Sequence, residues 1–340
     1  MRVLERERAP KHRICGEFLS VEAQASLRAA GIDAEALGGA RIDRLRLVHG
    51  HSVAEAPLPF VAIGLTRKRM DKALLARAET AGAVVERGVI VREIDGHRLT
   101  LEGSRTLDAP TLLLASGKHD VRGMRRQSVG TVADLVGFKS YFRLSDVQHA
   151  ALGGHIEVLM FDGGYAGLQH VEDGMANLCL LVTGARLAAA GGNWVGLLAA
   201  LRRECGHLED RLNGSDELLD RPITISGVPY GYLHNDNGDG IYRLGDQFAV
   251  IPSFSGDGMS MAMHSGRAAA DAVLRGIDAS AYHAARRAEL APQVRVADRL
   301  YRLARPPWMQ ALAVRVARLW PSLLPAIARA TRVPEAARLA

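Results

Sequence analysis

Cysteines, aromatic residues and long apolar runs are all scarce in this 340-residue sequence, and each scarcity excludes a class of protein. Cys15, Cys179 and Cys205 are odd in number and widely spaced, which argues against a disulfide framework and fits a reducing cytoplasm. No run of about 18 apolar residues occurs, and no apolar segment typical of a signal peptide follows Met1. We therefore expect a cytoplasmic protein without a membrane-spanning helix.

The charge balance is only mildly basic, with 43 Lys and Arg against 37 Asp and Glu and a net charge of +6. The arginines are spread along amphipathic helices and lack interleaved aromatic residues that could stack on bases, so we expect no nucleic-acid partner. With 48% hydrophobic and 24% charged residues, the chain can bury a large core and form two domains. The composition does not indicate an oligomeric state.

Motifs for metal binding and for nucleophilic catalysis are also missing. No Cys-x-x-Cys pair occurs, and His170, His234 and His264 lack the spacing of metal ligands. No Ser-His-Asp arrangement or carboxylate pair can be argued from the sequence. We therefore assign no metal site and no catalytic residue.

The most informative segment that is present begins where a predicted strand, 241–244, ends at Gly245-Asp246. Pro252 follows, and a glycine-rich turn then opens a helix of small residues at Gly256, Gly258 and Met259. The free N–H groups at the start of such a helix hold anionic or electron-rich groups. Asp246 could accept a hydrogen bond from a sugar or ribityl hydroxyl. An ordinary strand-turn-helix joint is the alternative interpretation.

This segment resembles the second FAD motif of the p-hydroxybenzoate hydroxylase and geranylgeranyl reductase superfamily. Three other segments resemble parts of the same superfamily, in the same order along the chain: 3–20, 66–84 and 112–120. The resemblance implies that the chain binds FAD. The resemblance places Asp246, Pro252, Gly256, Gly258 and Met259 at the cofactor. It also places there Glu5, as the ribose-binding acid, and Arg13, Cys15, Arg67 and Gly117.

One part of the superfamily pattern is missing from the sequence. A Gly-x-Gly-x-x-Gly turn comes about 20 residues before the ribose-binding acid in such proteins, and only four residues precede Glu5. We therefore expect an incomplete Rossmann-like domain that has lost most of its pyrophosphate contacts and binds FAD weakly. An upstream segment carrying that turn is expected to strengthen binding.

The fold class expected is α/β (α+β), with an incomplete Rossmann-like FAD-binding domain, an inserted antiparallel substrate sheet and C-terminal helices. We assign residues 1–135 and 222–280 to the FAD-binding domain, 136–221 to the substrate domain and 281–340 to the helices. The stretch from about 31 to 60 is expected to be irregular and only partly extended. Strands near 138–144, 156–161 and 176–182 alternate apolar and polar residues, which predicts one solvated face. A turn at 162–167 is expected to place Tyr165 at the substrate pocket.

The resemblance implies an FAD-dependent oxidoreductase that acts on a small or apolar organic molecule. NAD(P)H is the electron donor to consider for such an enzyme. Residues Gly117 to Asp120, and Gln247-Phe248, depart from the usual hydroxylase pattern, which favours a reductase or dehydrogenase. The alternatives are an aromatic-type monooxygenase and a cofactor-free remnant that only binds other molecules. Amphipathic C-terminal pieces either cap the protein's own core or make, at most, peripheral contact with a membrane.

Overall fold

The computed structural model describes residues 1–127, 130–132, 134–235 and 238–332. The expected positions 128, 129, 133, 236 and 237 of the FAD-binding domain, and 333–340 of the helical region, lie outside this part. The strands are β1 (Arg2–Glu5), β2 (Phe18–Leu19), β3 (Ala40–His49), β4 (Ser52–Gly64), β5 (Val84–Arg87), β6 (Val91–Asp95), β7 (Arg98–Leu101), β8 (Thr106–Asp108), β9 (Leu113–Leu114), β10 (Leu135–Arg143), β11 (Gly154–Phe161), β12 (Gly164–His170), β13 (Ala176–Thr183), β14 (Asp216–Glu217), β15 (Ile223–Ser226) and β16 (Tyr242–Arg243).

The α-helices follow the pattern of apolar residues and caps. They are α1 (Val21–Ala29), α2 (Arg67–Thr80), α3 (Asp146–Leu152), α4 (Gly184–Ala189), α5 (Trp194–Glu204), α6 (Gly206–Leu212), α7 (Gly258–Leu274), α8 (Ala279–Leu303), α9 (Pro307–Leu319) and α10 (Leu323–Ala330). Helices α1 and α2 begin after Ser20 and Thr66, whose hydroxyls accept from backbone N–H groups of the first turn. These local signals make the helix starts predictable from sequence.

Two short parallel strand pairs form the Rossmann-like part. Strand β1 pairs with β5 and β9 pairs with β16, while β6, β7 and β8 form an antiparallel meander. A shared apolar cluster, which includes Ile94, Leu99, Leu114 and Ile241 with Leu4 packed against it, holds the pieces together. Within the described ranges no strand hydrogen-bonds to the second edge of β1 or of β9. The expected parallel strands are therefore present, in two separate small sheets.

The nine-stranded sheet is larger than the sequence indicated. Its order is β14-β10-β13-β12-β11-β3-β4-β2, with β15 also paired to β10. The prediction of an irregular stretch before residue 60 is wrong, because β3 and β4 form a long hairpin there and β3 pairs in parallel with β11. Arginines in β3 hide the alternation of apolar and polar residues that would indicate a strand. In the structure, Arg44 and Arg46 bond across the hairpin to Glu55, at 2.7 and 2.8 Å. The mixed α/β fold class is confirmed, and the domain boundaries stay a proposal.

The prediction that one face of this sheet is solvated is also wrong. Seven of the nine residues of β10, and six of the eight of β13, are buried. One face packs on α5 and α6 through a cluster that includes Trp194, Leu197 and Leu208. The other face is covered by the N-terminal segment and the C-terminal helices. Alternation was a weak guide here because both faces have partners from distant parts of the chain.

Helices α5 and α6 meet at Cys205. The backbone of Cys205 is extended there, with φ −116° and ψ 92°. Its thiol donates to the carbonyl of Gly50 at 3.4 Å, a tertiary contact that fixes the break. Cys15, Cys179 and Cys205 are all free thiols.

The pH dependence of stability is expected to include a contribution from His170 at the end of β12. Burial, and to a lesser extent the stacked ring of His149, lower the pKa of His170 from 6.5 to about 4. Between these values the unfolded chain binds a proton that the folded protein excludes, so the free energy of unfolding falls as pH is lowered through this window. The loss is up to about 3 kcal/mol. Urea unfolding at a series of pH values measures it.

The matched control for that titration is His170→Gln, which keeps a polar side chain without a titrating group. The difference between the two pH curves isolates His170 from His12, whose pKa is also lowered to about 4, chiefly by burial. Parallel curves from pH 6.5 down to 4 would contradict the prediction.

The C-terminal helices cover the large sheet. Val314 and Ala317 of α9 and Leu324 of α10 pack against Ala54, Ala56 and Met160. In the described chain, no single helix has the length and apolarity needed to cross a bilayer, although α9 and α10, bent by 115°, meet that test as a pair. The inner side of these helices therefore rests on β3, β4 and β11 of the large sheet.

Candidate functional site

The turn before α7 is shaped by its glycines. Gly256 has a φ of +72°, and a Cβ there would lie 2.7 Å from the ring of Phe18, so a larger residue is excluded by the protein's own packing. Gly258, the first residue of α7, is exposed and a Cβ there meets nothing within 4 Å. Pro252 precedes the turn and Met259 packs into an apolar cluster beneath it. The start of α7 thus faces open space.

Asp246 lies beside the turn at Gly117. Its carboxylate is 3.5 Å from Nζ of Lys118 and keeps 23% of its exposure. Asp246 raises the pKa of Lys118. Gln247 donates to the carbonyl of Gly117 at 2.8 Å, and Arg126 donates to the carbonyls of both Lys118 and Asp246. These bonds fix the two loops to each other.

Arg67 and Cys15 lie on the other side of this space. Arg67 forms a two-pronged ion pair with Asp71, at 2.8 and 2.9 Å. Burial disfavours its charge, but Asp71, Cys15 and Asp246 outweigh that effect, so the pKa of Arg67 is raised. Cys15 packs against the cluster that contains Met259. The segments matched to the superfamily around residues 15, 67 and 246 therefore meet in space.

Glu5 marks the far end of the site, at the carboxyl end of β1. Its carboxylate accepts from the backbone of Glu7 at 2.8 Å and from Arg13 at 3.1 Å. Burial lowers the pKa of His119, and the positive charges of Arg6, Arg13, Lys11 and Lys118 lower it further. A cationic region therefore connects the Glu5 end to the Lys118 end of the site.

Three glycines border the site without any neighbour in front of them. A Cβ placed on Gly16, Gly117 or Gly258 would meet no atom within 4 Å. Gly117 also has a φ of +64°, which favours glycine whatever the space. Open space in front of several loop glycines leaves room for a ligand to approach the backbone closely.

Gly16 and Gly256 also line an apolar cavity of about 310 Å³. Tyr165, which the sequence placed at a substrate pocket, lines this cavity, and its hydroxyl is 3.2 Å from that of Tyr230. Residues from β3, β11 and β12 and from α8 to α10 line it, among them Leu47, Val158, Tyr301, Ala313 and Ile327, and Phe254 joins them from the turn before α7. The cavity suits an apolar organic molecule.

Several residues that shape the site were missed by sequence reasoning. Lys139 and Glu17 form an ion pair with no exposed side-chain surface, 2.6 Å apart, directly after the Cys15-Gly16 stretch. Arg332 forms a second buried pair with Asp257, at 3.1 Å, and donates to the carbonyl of Ser255. A lysine between apolar residues of a predicted strand was the one available signal for the first pair. No local pattern in the sequence indicates the second ion pair, because its two residues are 75 positions apart.

In the described part of the chain no group of three or more His, Cys, Asp or Glu side chains could hold a metal ion. Cys179 lines the cavity, and burial raises the pKa of its thiol to about 12, so it is protonated at neutral pH. His119, which could have contacted phosphates, lies among cations at the edge of the site.

Comparison with known proteins gives structural matches only. No protein-family model matches the sequence, and no curated protein sequence matches it. The solved structures with a similar fold include the flavin-dependent brominase Bmp2, with a TM-score of 0.76 and 17% identity over 97% of this chain and 86% of that one. Pseudomonas aeruginosa PqsL, in complex with 2-aminobenzoylacetate, gives a TM-score of 0.69 and 17% identity over 93% and 92% of the two chains.

A flavoprotein/dehydrogenase from Cytophaga hutchinsonii is similar over 99% of this chain and 91% of its own, with a TM-score of 0.74 and 17% identity. At this level of identity the likeness establishes the fold. The chain therefore shares the fold of flavin-dependent halogenases and monooxygenases.

Proposed function

We propose that the chain is an FAD-dependent oxidoreductase that acts on an apolar organic molecule held beneath its C-terminal helices. The observation that carries this proposal is the open space in front of Gly16, Gly117 and Gly258, which lie on three of the segments that resemble the superfamily, with the apolar cavity beside Gly16. A cofactor ring at the helix start would be next to a substrate in the cavity. The fold shared with the brominase and with PqsL supports the same assignment.

The side chains around this space fit FAD in part. Glu5 is positioned to accept from ribose hydroxyls and Asp246 from the ribityl chain, while Lys118 and Arg67 supply positive charge for phosphates. The N–H groups at the start of α7 suit the electron-rich edge of the flavin ring. When bound, FAD would supply the redox chemistry.

We propose monooxygenase chemistry as the finer assignment, in place of the reductase type expected from the sequence. PqsL is described as a probable FAD-dependent monooxygenase, and the brominase is also flavin-dependent. The apolar lining of the cavity would limit contact of a bound substrate with water, which oxygen-dependent flavin chemistry needs to limit wasteful side reactions. The reductase or dehydrogenase type is the second candidate, which the Cytophaga flavoprotein/dehydrogenase favours.

Flavin binding is the first test. Titration of FAD with the purified chain, followed by flavin fluorescence, is expected to show saturable binding. Asp246→Ala is expected to weaken that binding by about 1–3 kcal/mol, because alanine has no carboxylate to accept a hydrogen bond from the cofactor. Asp271→Ala is the matched control, since this exposed carboxylate of α7 only pairs with Arg275 at the surface. Equal losses in both variants would remove Asp246 from the site.

Absence of saturable FAD binding by a folded chain would overturn the proposed function and favour the cofactor-free binding protein. The type of chemistry is tested separately. The flavin-loaded protein is supplied with NADPH, isotopically labelled molecular oxygen and a panel of phenols, indoles and prenyl alcohols. Incorporation of label into a product supports the monooxygenase, whereas anaerobic turnover without incorporation supports the reductase.

A further inference from the structure

Helices α9 and α10 present a second, outward apolar face. Trp308, Leu312 and Leu319 share one side of α9, at spacings of four and seven residues, and are 67%, 45% and 72% exposed. Trp320, Leu323 and Ile327 continue this face along the following turn and α10, and each is at least 40% exposed. We call these six residues the outer apolar face. Its size and its two tryptophans mark an interaction surface.

The charge around the outer apolar face has one sign. Residues 299–332 contain seven arginines and no carboxylate. Arg315, Arg318 and Arg329 are exposed, and none of them forms an ion pair with another described residue. A partner for this surface must therefore bring negative charge together with apolar groups.

The outer apolar face also borders the cavity. Ile327 is 40% exposed and lines the cavity, as do Leu324 and Ala328 of the same helix. The face is therefore continuous with the rim of the site in which we place the substrate. An apolar molecule that binds at the outer apolar face would therefore have direct access to this rim.

We propose that the outer apolar face docks on an anionic lipid bilayer, with Trp308 and Trp320 in the headgroup region and the arginines against lipid phosphates. Tryptophan and arginine on a short amphipathic helix are the groups that favour this interface. A second copy of the chain is a poorer occupant, because a symmetric contact would bring the same arginines against each other. Docking of the protein does not require bound flavin.

Vesicle flotation with the full chain, free of flavin, tests this proposal. Binding is expected to vesicles that contain phosphatidylglycerol and to be much weaker to phosphatidylcholine alone. Trp308→Ser combined with Trp320→Ser is expected to weaken binding at least about tenfold. Leu274→Ser is the matched control, since this leucine is 87% exposed but lies at the end of α7, outside the outer apolar face.

The electrostatic part is tested with Arg315→Gln combined with Arg318→Gln. Loss of two cations is expected to weaken binding to anionic vesicles roughly thirtyfold. Arg203→Gln on α5 removes an exposed cation elsewhere and should leave binding unchanged. Intrinsic fluorescence gives a second readout, because Trp194 is buried and a blue shift on vesicles reports on Trp308 and Trp320.

Two results would overturn the proposal. One is a folded full chain that does not float with anionic vesicles. The other is a dimer by light scattering that Trp308→Ser with Trp320→Ser dissociates, which would assign the outer apolar face to a second copy. Both are independent of FAD titration, so failure here leaves the proposed redox function standing, and failure of flavin binding leaves the docking result readable.

Discussion

Gly258→Val is expected to lower the affinity for FAD at least roughly a hundredfold, about 2.7 kcal/mol, and to leave the fold intact. A Cβ at this position meets nothing within 4 Å, so the two valine methyl groups would occupy only the open space at the start of α7. If the flavin ring lies there, the side chain excludes it. Flavin fluorescence titration measures the affinity and circular dichroism checks the fold.

Gly266→Val is the control that this chain itself provides. Gly266 lies in the same helix, two turns further on, and a Cβ there also meets nothing within 4 Å. Both substitutions place the same side chain in α7 without a clash at Cβ, and they differ in whether they face the candidate site. Wild-type flavin affinity in Gly258→Val, or equal losses in both variants, would place the cofactor elsewhere.

Lys139→Met is expected to reduce the free energy of unfolding by about 3–5 kcal/mol, a large fraction of the stability of a typical domain. Lys139 and Glu17 have no exposed side-chain surface and lie 2.6 Å apart. Burial raises the pKa of Glu17 and the lysine opposes this shift, so removal of the lysine leaves a buried carboxylate without its cation. Urea unfolding followed by circular dichroism measures the loss.

The double variant Lys139→Met with Glu17→Gln separates charge from packing. The amide carries no charge, yet it can still accept from the hydroxyl of Tyr141 and the backbone N–H of Arg67, which bond to Glu17 at 2.9 and 2.7 Å. Most of the lost stability should therefore return in the double variant. A single variant that loses less than about 1 kcal/mol would show that water or a shifted proton already neutralises the pair.

The same ion pair has a consequence for the candidate site. Glu17 has a φ of +60°, an unfavourable value for a residue with a side chain, and Lys139 donates to the carbonyl of Arg13 at 3.0 Å. The stretch from Arg13 to Glu17, which contains Cys15 and Gly16, is thus held from the strand beneath it. Loss of the pair is expected to disturb one wall of the flavin space as well as stability.

Much of the local structure could be predicted because its causes are local. Ser20 and Thr66 cap helices within a few residues, Asp95-Gly96 forms the turn between β6 and β7, and the glycine-rich turn opens α7. The resemblance of four segments also placed Asp246, Gly117, Arg67 and Cys15 at one site; in the fold the segments that carry these residues lie near one another, and their role at a cofactor stays a prediction.

What the sequence by itself determined is the set of short-range elements and the mixed α/β class, since caps, turns and apolar periods act over a few residues. Only the tertiary structure decided that β3 and β4 join the large sheet, that Lys139 meets Glu17, and that Arg332 meets Asp257. Each of these contacts joins positions 75 or more residues apart. Their stability comes from burial that exists only once the chain has folded, so no local pattern of residues encodes them.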